Sequence, residues 1–301
     1  MEDKFSMELM KLNEEYLSLY HSTEYNLGKN ILKFKSSLKN KKYLRILKQI
    51  LYMPIDFYKK SKIVDKLLPQ NTISIHSINK VKIAIYTCII GNYDLLKEPR
   101  YISSNCDYFI ITDQEVPKSS IWKKIDINKF ENLKDFSAAQ KNRYIKFFPY
   151  KIFKNYDYSI YIDGSIEIIA DLTPLIAYLG TSSIGLHKHE HRNCAYTEAK
   201  AIKYHKRYNP KEIDKQILKY SKEGFPKHYG LYDNTIIVRK HNDICKLIMQ
   251  KWWKELNKYT FRDQLSLPYT FWKYKITKEN IAILPNGINT NPRWRKHNHK
   301  S

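Results

Sequence analysis

The sequence predicts an α/β sandwich with a mostly parallel central sheet, preceded by an N-terminal helical region. Three observations lead there. From residue 81 onward, short apolar β-branched runs alternate with helical segments. Several of these runs end in a glycine or a carboxylate, as strands do at a ligand-binding sheet edge. A chain of 301 residues with 43% hydrophobic content is long enough to bury a full core. In chain order, the first strand is expected at 82–90 and the second at 108–112, followed by a helix over about 134–153. Strands at 158–162, near 166–169 and at 235–238 come next, then an amphipathic helix at 243–256 and a late strand at 281–284. Residues 1–79 read as a separate helical region, because Leu9, Leu12, Tyr16 and Leu19 recur at three-to-four-residue spacing, as do Leu38, Leu44, Leu47 and Leu51. The expected division is therefore 1–79 and 80–301.

Charge and cysteine usage narrow the function classes. Lys plus Arg exceed Asp plus Glu by 53 to 30, a surplus of +23 that favours phosphate-bearing partners. Residues 29–66 concentrate twelve Lys and Arg against Asp56 and Asp65. That basic face reads as a solvated appendage or as a peripheral contact with an anionic membrane. Nucleic acid is not expected, since no helix-turn-helix punctuation, zinc-finger spacing or aromatic RNP-type strand turns charge into readout. The four cysteines stand far apart, which argues against a zinc ribbon or a disulfide framework. The acidic, amphipathic start lacks the pattern of a signal peptide, and no apolar run reaches membrane-spanning length. The expected location is cytoplasmic, with possible peripheral contact at the inner membrane face.

With only eight glycines in the chain, each one at a strand end marks a bend or a close approach. Gly91 closes the first strand in Ile89-Ile90-Gly91-Asn92-Tyr93-Asp94, where a nucleotide could rest or an ordinary turn could form. Asp113 ends the second strand at the same edge. Arg143 and Lys146 are three apart on a helix, hence on one face that could reach a diphosphate. The segment Tyr156-Asp157-Tyr158-Ser159-Ile160-Tyr161-Ile162-Asp163-Gly164-Ser165 is the most informative. It is an apolar strand ending in a carboxylate, a charge that needs a metal or a Lys/Arg partner. No GxGxxG and no Walker A lysine occur, which excludes the dehydrogenase and P-loop classes. His187, His189 and His191 alternate, so on an extended strand they would share one face suited to zinc, with a polar loop as the other reading.

These residues carry a resemblance. Asp163-Gly164-Ser165 behind an Arg-x-x-Lys helix is similar to the TOD1/MUCI70-type glycosyltransferase-like domain. So, in order, are Gly91-Asn92-Tyr93-Asp94, the block from His189 to Ala199, Gly230-Leu231-Tyr232-Asp233-Asn234 and Arg262-Asp263-Gln264-Leu265-Ser266. The resemblance spans about residues 81–270. It implies a GT-A-like, Rossmann-related fold with a nucleotide-sugar half and an acceptor half, distantly related to glycogenin-like retaining transferases. It further implies donor contacts from Gly91, Asn92, Tyr93, Asp94, Asp113, Arg143, Lys146, Asp163 and Gly164. His191, Arg192, Tyr196, Glu198 and Gln264 become substrate contacts. Asp263 resembles the acid that opens an active-site helix, where it would orient sugar hydroxyls or deprotonate the acceptor; a plain helix N-cap is the competing explanation, and Asp233 is the alternative base.

One departure matters: GT-A enzymes usually hold Mn²⁺ or Mg²⁺ with Asp-x-Asp, and position 165 is Ser, a poorer ligand for a hard cation. Either Asp163 binds the metal with help from His297 or His299, or Arg143 and Lys146 replace it. The basic tail around Arg293 to Lys300 could fold over the diphosphate or remain solvated. The expected function is transfer of a sugar from a nucleoside-diphosphate donor, UDP-sugar favoured, to a glycan hydroxyl in bacterial surface or capsular polysaccharide assembly. The alternatives are a nucleic-acid or anionic-surface binding protein and a glycosyltransferase-like domain that binds glycan without catalysis.

Overall fold

The computed structural model describes residues 81–299 other than 104 and 205–207. The helical region expected over 1–79, with its basic face at 29–66, lies outside the described residues. The rest is a mixed α/β body around a seven-stranded sheet. Its strands are β1 (Ile83–Ile89), β2 (Cys106–Thr112), β3 (Lys123–Asp126), β4 (Tyr158–Ile162), β6 (Ile184–Lys188), β7 (Tyr232–Lys240) and β8 (Ile281–Ile283). They lie in the order β3-β2-β1-β4-β7-β6-β8. Within the sheet β7 alone runs against its neighbours; β3, β2, β1 and β4 pair in parallel, and so do β6 and β8. A separate antiparallel ribbon joins β5 (Ile166–Ile168) to β9 (Trp294–Lys296).

Every residue of β1 is buried, which is why it reads as a continuous apolar run. Alternate side chains divide between two cores. Ile83, Ile85 and Ile89 join the layer holding Leu172, Leu175 and Trp294, whereas Ala84, Tyr86 and Cys88 face Ile145, Phe147 and Trp252. The second layer is built from α1 (Ala138–Phe147), α6 (Asp243–Leu256) and α7 (Asp263–Lys273). The first includes α3 (Pro174–Leu179). Two further helices, α4 (Ala195–Ile202) and α5 (Pro210–Lys222), pack with α7 in a smaller cluster where the Tyr220 and Tyr269 rings stack at 3.6 Å.

The helix expected over 134–153 is shorter and divided. Ser137 and Gln140 form a reciprocal capping box that starts α1. Pro149, with no N–H to donate, ends it and opens the short α2 (Pro149–Ile152). By contrast, α6 has the bounds its pattern predicts, because the Asn242 side chain accepts from the Cys245 N–H at its start. The expected strand near 166–169 forms, yet it pairs with β9 outside the main sheet.

The C-terminal end of α1 is pinned by a buried cation. Arg239 on β7 is fully buried and donates to the Lys146 carbonyl at 2.7 Å and to the Tyr86 hydroxyl at 3.0 Å. Tyr86 in turn donates to the Lys146 carbonyl at 3.1 Å. No carboxylate pairs with Arg239 among the described residues; its charge faces the negative end of the α1 dipole. Arg239→Ala should therefore destabilise the protein by about 3 kcal/mol or more, through a buried cavity and the loss of the hydrogen bonds to the Lys146 carbonyl and the Tyr86 hydroxyl, in urea denaturation followed by far-UV circular dichroism. A change below about 1 kcal/mol would show that α1 is held by other contacts.

Candidate active site

The carboxyl ends of β1, β2 and β4 meet the N-terminal end of α7 around a group of four charges. Gly91 and Asn92 leave β1 with φ of +66° and +57°, a turn that favours glycine at its first position. The Gly91 N–H donates to both oxygens of Asp113, at 3.0 and 3.2 Å, so Asp113 braces the turn between β1 and β2. The Asn142 amide donates to the Cys88 carbonyl at 2.7 Å and fastens α1 to the end of β1. Asp94 is buried against the next strand end: a Cβ on Gly164 would stand 3.0 Å from its Oδ2 and 2.8 Å from Ile89. Tyr93 lies half-exposed, with its ring 5.0 Å from that of His299, whose Nδ1 is 3.0 Å from Asp94.

Asp163, first after β4, accepts from the Tyr161 hydroxyl at 2.6 Å and lies 3.9 Å from Lys146 Nζ. Lys146 is 2% exposed; its ammonium is 2.8 Å from Asp263 and 5.0 Å above the Tyr161 ring. Arg143 Nε is 4.0 Å from the same Asp263 oxygen. Burial alone would raise the Asp263 pKa, but Lys146, Arg143 and Arg262 outweigh it and hold this carboxylate far below its usual range. Asp263 is thus an anchor ionised at neutral pH and a weak base. It sits in the first turn of α7, and the N-cap position belongs to Arg262. Arg143, Lys146 and Asp163, expected at the donor diphosphate, and Asp263, expected as the base, stand together. Lys146, however, is turned inward onto two carboxylates, and Arg143, 25% exposed, is the cation that still reaches solvent.

A second ion cluster lies beside the first. Glu198 on α4 is fully buried and accepts from Arg192 Nε at 2.6 Å and Arg262 Nη2 at 2.7 Å. Burial pushes its pKa up, and the two guanidiniums more than reverse that, keeping it below the usual carboxylate range. The expected substrate contacts Arg192 and Glu198 therefore contact each other. His191 is exposed, and Gln264 is buried with its side-chain oxygen unpartnered. Asp233 stands at the start of β7, where it accepts from the Thr235 N–H at 2.9 Å.

The zinc reading of His187, His189 and His191 meets a different arrangement. His187 is buried, 3.0 Å from the Asn286 carbonyl, and His189 Nδ1 accepts from the backbone N–H groups of His191 and Arg192. Nor do Asp163 and His297 form a cation site, because His297 Nε2 lies 2.9 Å from Glu167, which also holds Arg100 at 2.6 Å. Ser165 is buried. Among the described residues no group of three His, Cys, Asp or Glu side chains could hold a metal ion. Asp163 has the Lys146 ammonium 3.9 Å away and the Tyr161 hydroxyl donating to it, so its charge is answered by protein groups, and His299, the other histidine expected to help it, stands against Asp94.

Three contributors escaped sequence reasoning. Tyr161 looks like one more apolar strand residue; Arg262 binds Glu198 from 64 positions away; Asn234 is buried with both amide atoms unpartnered. The only available signal for the last two was their place in the quoted motifs.

Comparison with known proteins adds three findings. The family model described as TOD1/MUCI70, glycosyltransferase-like domain, matches residues 34–289. A curated relative from Arabidopsis thaliana, "Probable hexosyltransferase MUCI70", is 23% identical over 212 residues, which cover 61% of this chain and 36% of the relative. The chain thus spans about a third of that relative's length. Among solved structures, the WbbM bifunctional glycosyltransferase in its apo form aligns at a TM-score of 0.43 and 18% identity, covering 68% of this chain and 39% of that one. Mouse xyloside xylosyltransferase 1, also apo, aligns at 0.40 and 10% identity, over 68% and 85%.

The Glu198 cluster generates a pH prediction. Glu198 and Asp263 have folded-state pKa values below their unfolded ones, so their stabilisation is present above about pH 4 and is lost as pH falls through the folded values. Glu198→Gln should lower stability at pH 7 by about 3 kcal/mol, since two arginines lose their counter-charge. It should also flatten the loss of stability below about pH 4 in urea titrations. Equal acid slopes for both proteins would refute the assignment.

Proposed function

The chain belongs to the TOD1/MUCI70 glycosyltransferase-like family, and on that premise we propose that it transfers a sugar from a nucleoside-diphosphate donor, UDP-sugar favoured, to a glycan hydroxyl. The observation that carries this reading is the convergence of Asp163, Lys146, Asp263 and Arg143 at the carboxyl edge of the sheet. Ligands bind at that edge in open α/β sheets. In this reading the nucleoside lies over Gly91 and Asp113, and the diphosphate runs toward Arg143.

Lys146 is already balanced by two carboxylates, so it orients the site and does not itself neutralise the donor. Asp163, fixed by the Tyr161 hydroxyl, points a ready-made acceptor at the donor sugar hydroxyls. As the bond from sugar to diphosphate lengthens, Arg143 stabilises the charge that gathers on the leaving oxygen. Asp263 remains ionised and sets the position of Lys146 and Arg143. The chain-wide surplus of +23 draws the anionic donor in.

Hydrolysis of UDP-sugars by the full chain, run with Mn²⁺ and again with EDTA, tests the reading. Asp163→Asn and Arg143→Ala should each lower turnover by about a hundredfold or more, with thermal midpoints close to that of the parent. Undiminished turnover in Asp163→Asn would remove this carboxylate from the reaction. A preparation that turns over no nucleotide sugar in either condition would refute transfer itself.

A further inference from the structure

A groove of about 760 Å³ lies outside the charge cluster just described, between α4, α5 and the segment that follows α5. Its floor is apolar. The Tyr196 and Phe225 rings stack at 5.9 Å and 29°, locked by a 2.6 Å hydrogen bond from the Tyr196 hydroxyl to the Phe225 carbonyl, and Leu218 is 56% exposed beside them. Its rim is basic: Lys211, Lys215 and Lys227 border it. Glu212 answers Lys215 at 2.7 Å, and the one acid on the rim, Asp214, is taken by Lys203. No carboxylate pairs with Lys211 or Lys227 among the described residues.

We propose that this groove binds an acidic glycan, the part of the acceptor chain beyond the hydroxyl that reacts. The acceptor role rests on the transferase reading above; binding does not. The faces of pyranose rings present C–H groups that suit a rigid aromatic and aliphatic floor, and carboxylates along the chain suit unpaired ammonium groups. The volume lies in the range of small-molecule sites, so a short run of sugar rings fills it. The groove and the charge cluster share α4, which carries Tyr196 toward the groove and Glu198, the partner of Arg262 at the start of α7, on its other face.

Titration of the full chain with an oligomannuronate, and with its carboxyl-reduced neutral counterpart, tests the proposal. The acidic oligosaccharide should bind more tightly and weaken as salt rises. The pair Lys211→Glu and Lys227→Glu should lower its affinity by about tenfold or more while leaving thermal stability and UDP-sugar hydrolysis unchanged. Tyr196→Phe, which keeps the ring and loses the lock, should bind more tightly than Tyr196→Ala, which should lose affinity for both oligosaccharides. Equal affinity for the acidic and neutral forms would overturn the proposal. So would an unaffected lysine pair, or displacement of the glycan by anionic phospholipid vesicles. Glycan binding that depends on the lysines in a protein without donor turnover would uphold the groove and refute the transferase reading alone.

Discussion

The candidate site depends on one buried contact, the ammonium of Lys146 against the carboxylate of Asp263. Taking both charges out of water costs several kcal/mol, and a bare pair seldom recovers that. Here the cost is offset by further partners: the second acid Asp163, the face of Tyr161 under the ammonium, and the guanidinium of Arg143 beside the shared oxygen. Such a network contributes geometry more than stability. It draws the end of β4, the third turn of α1 and the start of α7 to a single point, and each element is useful there only because the other two are present.

Precision at that point requires that α1 not slide. The helix is fixed by its capping box at Ser137, by the Asn142 amide on the end of β1, and by Arg239 and Tyr86 at its last carbonyls. Two of those attachments come from sheet strands, so the rigid layer sets where Arg143 and Lys146 stand. The Glu198 cluster does the same for the opposing side, because Arg262, the residue immediately before Asp263, is tied to Glu198 on α4. A cation that is one-quarter exposed is thereby supported by two cores and two ion networks, an arrangement suited to receiving charge from a ligand.

Much of the sheet was legible because burial on both faces writes itself as a run free of charged residues and rich in Ile and Tyr, as in β1 and β4. Local capping made α6 legible too. The pattern failed where local chemistry overrode it: Ser137 and Pro149 confine α1 inside a longer apolar periodicity. Arg239 could not be read as buried, since nothing nearby in the chain announces that a helix end lies over it. For the site, the individual acids and bases were legible from strand ends and helix spacing. Their pairing was not, because Lys146 and Asp263 are 117 positions apart and only the fold brings them together. The inward turn of Lys146 follows from that pairing.

The ribbon of β5 with β9 has a consequence for biogenesis. The segment just after Asp163 is covered by strand Trp294–Lys296, and Glu167 meets His297 across 130 positions. A polypeptide leaving the ribosome in order therefore exposes the apolar residues of β5 throughout synthesis of the intervening helices. Pairings of such long separation form late and leave sticky surface uncovered in the interval. The apolar side chains Ile166 and Ile168 thus gain their strand partner only when synthesis is nearly complete.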